Sequence, residues 1–209
     1  MTDPPVFSVD WFSQSIPNFQ QYLGGLKGQR VQGLEVGCYE GRSTVWLLEN
    51  VLTAPGSRLH VVDSFTGNLE HQDSETLMAL LPGLRDRFLH NIEPWKDKVI
   101  LHEGASAWHL RRLYEQLFDG LDFVYVDGSH VAQDVLEDAV LVWPLLKIGG
   151  LLIFDDYTWK PYDNPRLMAA TGIDAFQSVY LGAKVEARNH QMILRKHRAI
   201  LLKGIPYKE

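Results

Sequence analysis

The chain has 209 residues, 45% of them hydrophobic and 22% charged, which suits one large soluble globular domain or a domain with a small addition. A net charge of −6 weighs against a nucleic-acid backbone as the main partner, and no apolar run approaches the roughly 18–20 residues that cross a bilayer. The single cysteine, Cys38, excludes an intramolecular disulfide and a cysteine-based zinc site, and the opening "MTDPPVFSVDWF" lacks the basic start and apolar stretch of a secretory signal, so a cytoplasmic protein is expected.

In chain order, residues 1–29 read as one or two helices broken near Pro17, a helical cap appended to a main domain at 30–209. From residue 30, short apolar runs alternate with helical stretches. Strands are expected at 31–36, 57–63, 98–104, 121–127 and 149–156. Helices are expected at 41–52, 106–118 and 130–146, and over 74–92 with a break at Pro82-Gly83. The central strands are continuously apolar rather than alternating, as in strands covered by helices on both faces. A helix at 173–182 and runs at 183–188 and 191–196 around Asn189-His190 predict a closing β-hairpin. The fold class is therefore α/β, a doubly wound Rossmann-like sheet, mostly parallel with an antiparallel C-terminal hairpin. Such sheets bind ligands at the carboxyl ends of their strands. The basic stretch "RKHRAILLK" is expected to solubilise an edge strand.

"LEVGCYEGRST" (34–44) joins the first strand to the first helix. Gly37 and Gly41 allow a tight turn and close approach of a ligand. Ser43 lies where the first helical turn exposes N–H donors. Glu35 is an acid inside an apolar strand, which calls for a cationic or hydrogen-bonding partner. The spacing is not G-x-G-x-x-G, which counts against a nicotinamide-dependent oxidoreductase. Asp63 follows Gly41 by 22 residues, where doubly wound nucleotide folds place an acid on a ribose diol; it could equally cap a turn.

Acids recur at two further strand ends: Asp127 after "FVYV", and Asp155-Asp156 after "LLIF". In a parallel sheet these ends open on one edge, so three carboxylates converge and repel unless a cation lies between them. All-oxygen ligands suit Mg²⁺, or Mn²⁺ or Ca²⁺. The alternative is an ordinary cap, Asp127 serving the helix that starts near His130. His130, three residues past Asp127, is a candidate general base, whereas His60, His102 and His109 read as structural or surface residues.

Residues 31–156 resemble class I S-adenosylmethionine-dependent methyltransferases, especially the catechol O-methyltransferase-like group. The first motif of that group is matched by Glu35, Gly37, Tyr39, Gly41 and Ser43, and "EGAS" (103–106) is similar to its adenine-side loop. The resemblance implies that the methionine amino and carboxylate groups are held at the first motif and the ribose by Asp63. Ser64, Phe65, Gly104, Ala105, Ser106 and Asp127 complete the implied cofactor set, with Phe65 a stacking partner of the adenine. It also implies metal ligands at Asp127, Asp155 and Asp156. The catechol-type enzymes carry Asn at the third ligand and lysine as base. Asp156 and His130 are instead similar to the macrocin-type sugar O-methyltransferases.

The expected activity is metal-assisted O-methyl transfer to a hydroxylated small molecule: a sugar, catechol-like compound or other secondary metabolite. The loop 157–172, with Trp159 and Tyr162, is the expected acceptor wall or lid. Competing readings are a non-catalytic or metal-independent S-adenosylmethionine-binding protein, a cephalosporin-hydroxylase-like protein, and an NAD-dependent oxidoreductase. Nucleic acid and membrane are not expected partners, and the oligomeric state, a homo-oligomer included, is open.

Overall fold

The computed structural model describes residues 3–68, 74–198, 200–202 and 205–206. The chain divides into two compact units, Met1–Ala105 and Ser106–Glu209.

In the first unit, a 3₁₀ turn at Ser13–Ser15 leads into α1 (Ile16–Leu23). Pro17 does not break this helix. It sits in the first turn, where a missing N–H costs nothing because no intrahelical acceptor is present. Next come β1 (Gln32–Val36), α2 (Arg42–Asn50) and β2 (Arg58–Asp63). The expected helical stretch splits at Pro82-Gly83 into α3 (Glu75–Met78) and α4 (Leu84–Ile92), before β3 (Val99–Glu103). The three strands are parallel, with Leu34 opposite His60 and Val61 opposite Leu101. Leu34, Val36, Leu59, Val61 and Val62 are buried, whereas β3 is partly exposed, as the outermost strand should be.

The second unit opens with α5 (Ser106–Leu117), β4 (Leu121–Val126) and α6 (Ala132–Val142). A 3₁₀ turn at Trp143–Leu145 contains Pro144 and ends the helix four residues before the expected limit at 146. β5 (Leu146–Phe154) is parallel to β4, with Val126 opposite Phe154. α7 (Ala169–Val179) precedes the hairpin β6 (Ala183–Arg188) and β7 (Met192–Lys196). β7 is antiparallel to both β5 and β6, and β8 (Ile200–Leu202) pairs with β9 (Ile205–Pro206). The seven-stranded sheet has the order β3-β2-β1-β4-β5-β7-β6, the doubly wound arrangement with a reversed hairpin that the sequence predicts.

Two expectations are corrected. The helix expected at 173–182 begins at Ala169, so Ala169, Ala170 and Gly172 belong to it rather than to a loop. A Cβ at Gly172 would overlap the carbonyl oxygen of Ala132, so this glycine marks close helix–helix packing. Arg195 and Lys196, which open the basic stretch, do not lie on an edge, since β7 lies between β5 and β6. Arg195 donates to Glu186 at 3.1 Å and to the Gly149 carbonyl at 2.8 Å, and Lys196 to the carbonyls of Trp143 (2.9 Å) and Leu146 (2.5 Å). Lys196 thus ties the turn after α6 to the hairpin, and Arg195 ties β7 to β6 and β5. Among the described residues no helix is long and apolar enough to cross a membrane.

Candidate active site

Glu35, near the end of β1, is fully buried. Its carboxylate accepts hydrogen bonds from the hydroxyl of Ser43 and from that of Thr44, the latter at 2.6 Å. The acid that looked costly in the strand is thus received by the first turn of α2. Thr44 was not singled out in the sequence, although its place beside Ser43 was a usable signal.

The turn between β1 and α2 is bent by three left-handed residues, Gly37 (φ 84°), Tyr39 (φ 50°) and Gly41 (φ 85°). Gly41 cannot be replaced freely, because an added Cβ would come 2.9 Å from the Phe88 ring. Tyr39 carries the conformational cost of a non-glycine residue there. Asp63 supports this shape: its Oδ2 accepts the N–H groups of Cys38 (2.7 Å) and Tyr39 (3.1 Å), and its Oδ1 that of Phe65 (2.7 Å). A carboxylate has about four acceptor sites, so Asp63 can still receive a hydroxyl. Ser64 is exposed and bonds Thr66 at 2.8 Å. Phe65, also left-handed (φ 55°), packs on Phe88 at 5.5 Å. Gly104 donates its N–H to the Asp63 carbonyl at 2.8 Å, placing the 103–105 loop against the end of β2.

Glu40 is a member of this turn that sequence reading missed. It is almost fully buried, and it accepts from Arg87 Nε at 2.7 Å and from the Ser8 hydroxyl and N–H at 2.7 and 2.6 Å. Asn91 donates to the carbonyls of Glu40 and Val6, both at 2.9 Å, and accepts the Val6 N–H at 2.8 Å. Trp11 lies on Tyr39 with ring centroids 5.0 Å apart. Residues 6–11 are therefore a strap fastened to the glycine turn. A charge between the two turn glycines was the only sequence hint.

In the second unit, the β4–β5 register continues past the strand ends, with Asp155 N–H donating to the Val126 carbonyl at 3.0 Å, so Asp127, Asp155 and Asp156 gather at one place. Asp127 does not cap α6: the N-cap is Val131, with no side-chain cap. Instead, Asp127 Oδ1 lies 3.8 Å and Asp156 Oδ2 3.0 Å from His130 Nε2. Asp127, His130 and Asp156 each offer one ligand atom within 4.8 Å of the others. Asp155 is close by but differently engaged. Its Oδ2 is 2.5 Å from the Tyr125 hydroxyl and 3.2 Å from Gln191 Nε2, and its Oδ1 accepts the Asp156 N–H at 2.9 Å. The Tyr125 hydroxyl also reaches Asp127 Oδ2 at 2.8 Å. Asp156 itself is left-handed (φ 55°).

The electrostatics follow from crowding. Burial, then the Asp155 carboxylate, push Asp127 up to about 7, against the opposing bond from His130. Burial and then Asp156 raise Asp155, and burial with both neighbouring carboxylates holds the Tyr125 phenol well above its usual range. Trp159 stands edge-on to His130 at 4.9 Å, whereas Tyr162 is partly exposed in the same loop. Ser106, at the start of α5, bonds the buried Asp138. His60 Nδ1 lies 3.0 Å from His102 Nε2, the parallel rings having centroids 5.3 Å apart, and burial lowers His60 to about 4.

The sequence matches the methyltransferase domain family over residues 34–157, from β1 to the residue after the acid pair. The uncharacterized protein R132 of Acanthamoeba polyphaga mimivirus is 30% identical over 87 residues, 36% of this chain and 39% of that protein. Among solved structures, the MycE methyltransferase of the mycinamycin biosynthetic pathway, in complex with Mg, SAH and mycinamycin VI, superposes with a TM-score of 0.58 at 15% identity. That match covers 93% of this chain and 51% of MycE, so the chain spans about half the length of MycE. An O-methyltransferase from Bacillus cereus in complex with SAH gives 0.58 at 19% identity, over 92% of this chain and 84% of the other. CalS11, a TDP-rhamnose 3'-O-methyltransferase of calicheamicin biosynthesis, gives 0.54 at 18%, over 87% and 79%. These structures share the fold, and the family match covers the glycine turn, Asp63 and the acid pair together; the chain belongs to the methyltransferase domain family and has the class I S-adenosylmethionine-dependent methyltransferase fold.

Proposed function

We propose that the chain is an S-adenosylmethionine-dependent O-methyltransferase that works with a divalent cation, Mg²⁺ first, on a hydroxyl of a small molecule such as a sugar or a catechol-like or other secondary metabolite. The observation that carries this reading is the convergence of Asp127, Asp156 and His130 within 4.8 Å. Crowded carboxylates, one of them pushed up to about 7, have the donor chemistry that a hard cation relieves, so the residues fit the group. The MycE structure, solved with Mg and SAH, is consistent with it.

Asp127 and Asp156 would hold the cation, with Asp155 the third acid that the sequence nominates. When bound, the cation would lower the pKa of an acceptor hydroxyl, and S-adenosylmethionine would supply a methyl group on a sulfonium, already a good leaving group. Glu35 and Ser43, in the turn shaped by Gly37, Tyr39 and Gly41, would receive the methionine end of the cofactor. Asp63 would take the ribose, and Ser64, Phe65, Gly104, Ala105, Ser106 and Asp127 would line the remainder. His130 would remove the acceptor proton. Its Nε2 faces Asp156 Oδ2 at 3.0 Å, within reach to donate a hydrogen bond to that carboxylate. Trp159 fixes the imidazole plane edge-on, so orientation is set before a substrate arrives.

Calorimetric titration with S-adenosylhomocysteine tests the cofactor half. Wild type is expected to bind, and a folded Glu35→Ala/Asp63→Ala variant is expected not to; unchanged binding in the variant removes these residues from the site. An acceptor screen of sugars, catechols and polyketides, with and without chelator, tests the rest. Turnover indifferent to chelator sinks the cation, and full activity in His130→Ala sinks the base.

A further inference from the structure

We propose that the outward face of α5 is a docking surface for a second copy of this chain, the two helices packing antiparallel about a two-fold axis. α5 buries Leu110 and Leu113 and turns its opposite side to solvent. Three large aromatic side chains stand there: Trp108 is 58%, Tyr114 46% and Phe118 53% exposed. The Phe118 N–H donates to the Tyr114 carbonyl at 3.0 Å, so the helical turn continues through Phe118. Apolar side chains scattered singly over a surface need no explanation, but three along one helix do. Tyr114 and Phe118 have ring centroids 5.3 Å apart, and the Arg112 guanidinium lies over the Trp108 ring at 3.2 Å. Beside them on α6, Glu137 pairs with Arg111, and Val140, one turn further on, is 40% exposed.

The order of the residues says what covers this face. Trp108, Arg111, Glu115 and Phe118 are all exposed and are spaced 3, 4 and 3 residues apart, the spacing of a seam between two helices. The seam is complementary to its own reverse. An antiparallel copy centred at Leu113 sets Trp108 of one copy against Phe118 of the other, and Arg111 against Glu115, each contact occurring twice. The same register brings Arg112 opposite Tyr114, a second ring for the guanidinium that already covers Trp108. A parallel pairing would instead oppose Arg111 to Arg111 and Glu115 to Glu115, at a cost. A two-fold contact requires self-complementarity, residue i meeting j while j meets i, whereas an unrelated partner imposes no such rule on the seam. From Trp108 to Phe118 the helix runs about 15 Å, a short seam, so a reversible dimer is expected rather than a permanent one.

Sedimentation velocity on the full chain, from about 1 to 200 μM, tests this, with circular dichroism to check that each variant folds. Wild type is expected to dimerise with a Kd on the order of 10 μM, and Trp108→Ala/Phe118→Ala to raise that value at least about 10-fold. Arg111→Glu and Glu115→Arg are each expected to stay monomeric alone, because each sets like charges opposite one another twice. Mixed in equal amounts, these two variants are expected to form a heterodimer, since every opposed pair is again of opposite sign. A wild type that is still monomeric at about 200 μM overturns the inference and leaves the face to a different protein. A dimer that Trp108→Ala/Phe118→Ala leaves unchanged overturns it too, because that dimer uses another surface. Failure of the charge-reversed pair to associate overturns the antiparallel register.

Discussion

Asp63 is the last residue of one parallel strand and Asp127 the first residue after another, yet they live in opposite surroundings. Asp63 in the first unit receives three backbone N–H groups and faces no other carboxylate among its hydrogen-bond partners. Asp127 in the second unit shares its surroundings with Asp155 and Asp156, and its carboxyl is pushed up to about 7. The same side chain is a structural tie with an acceptor site to spare in one place and a crowded electrostatic arrangement in the other. An acid whose charge the fold already satisfies shapes a turn; acids whose charge the fold leaves crowded have the donor chemistry that a cation would relieve.

Removing each acid should therefore have opposite consequences. Asp63→Ala strips the acceptor from three N–H groups, and a loss of roughly 3–5 kcal/mol in urea unfolding is expected, with Asp63→Asn losing less. A loss below about 1 kcal/mol would mean that the turn holds without its tie. Asp127→Asn should instead raise the melting temperature of the cation-free protein at pH 8, because it relieves like-charge crowding. Mg²⁺ or Mn²⁺ at 100 times its Kd should stabilise wild type by about 2.7 kcal/mol and leave Asp127→Asn/Asp156→Asn unmoved. Equal stabilisation of both proteins by calorimetry would erase the contrast.

The pH dependence sharpens it further. Asp138 is buried on α6, and burial pushes it up to about 7 from an ordinary 3.8. Its folded value lies above its unfolded one, so its stabilising contribution is complete below about pH 4 and is lost as pH rises through about 7. Asp138→Asn should flatten the stability curve between pH 4 and 8 by on the order of 4 kcal/mol, read by denaturant titration. His60 works in the other sense. Burial lowers it from 6.5 to about 4, so stability is lost as pH falls through that window, and His60→Phe should remove that loss. The smallest effect is expected at the strap. Ser8→Ala removes one bond to Glu40 and should cost about 1 kcal/mol, while speeding proteolysis of the first ten residues.

The regular part of the fold was legible because its signals are local. Continuous apolar runs in β1, β2, β4 and β5 named strands covered on both faces, and Asn189-His190 between two short runs named the hairpin. The helix α7 was misplaced because Gly172 reads as a loop residue in isolation, and only its approach to the Ala132 carbonyl explains it. The acids Asp127, Asp155 and Asp156 were visible as a pattern of strand ends. Their hydrogen-bond partners were not: Tyr125 passes for one more apolar residue in "FVYV", and Gln191 lies 36 residues from the acid it bonds. Glu40 was hidden for the same reason, since its partner Arg87 is 47 residues away.

What the amino-acid order determined by itself was therefore the periodicity and the chemistry: which segments become strands, where glycines permit a left-handed turn, and which strand ends carry acids. Those properties depend on neighbours along the chain and on backbone sterics. The tertiary structure alone decided how each carboxylate is answered, by backbone N–H groups at Asp63, by hydroxyls of Ser43 and Thr44 at Glu35, and by one phenol, able to donate to one acid at a time, at Asp127 and Asp155. Hydrogen bonds and charge repulsion act over a few ångströms in space, whatever the separation in sequence, so the state of a buried acid is settled only when the strands have brought its partners to it.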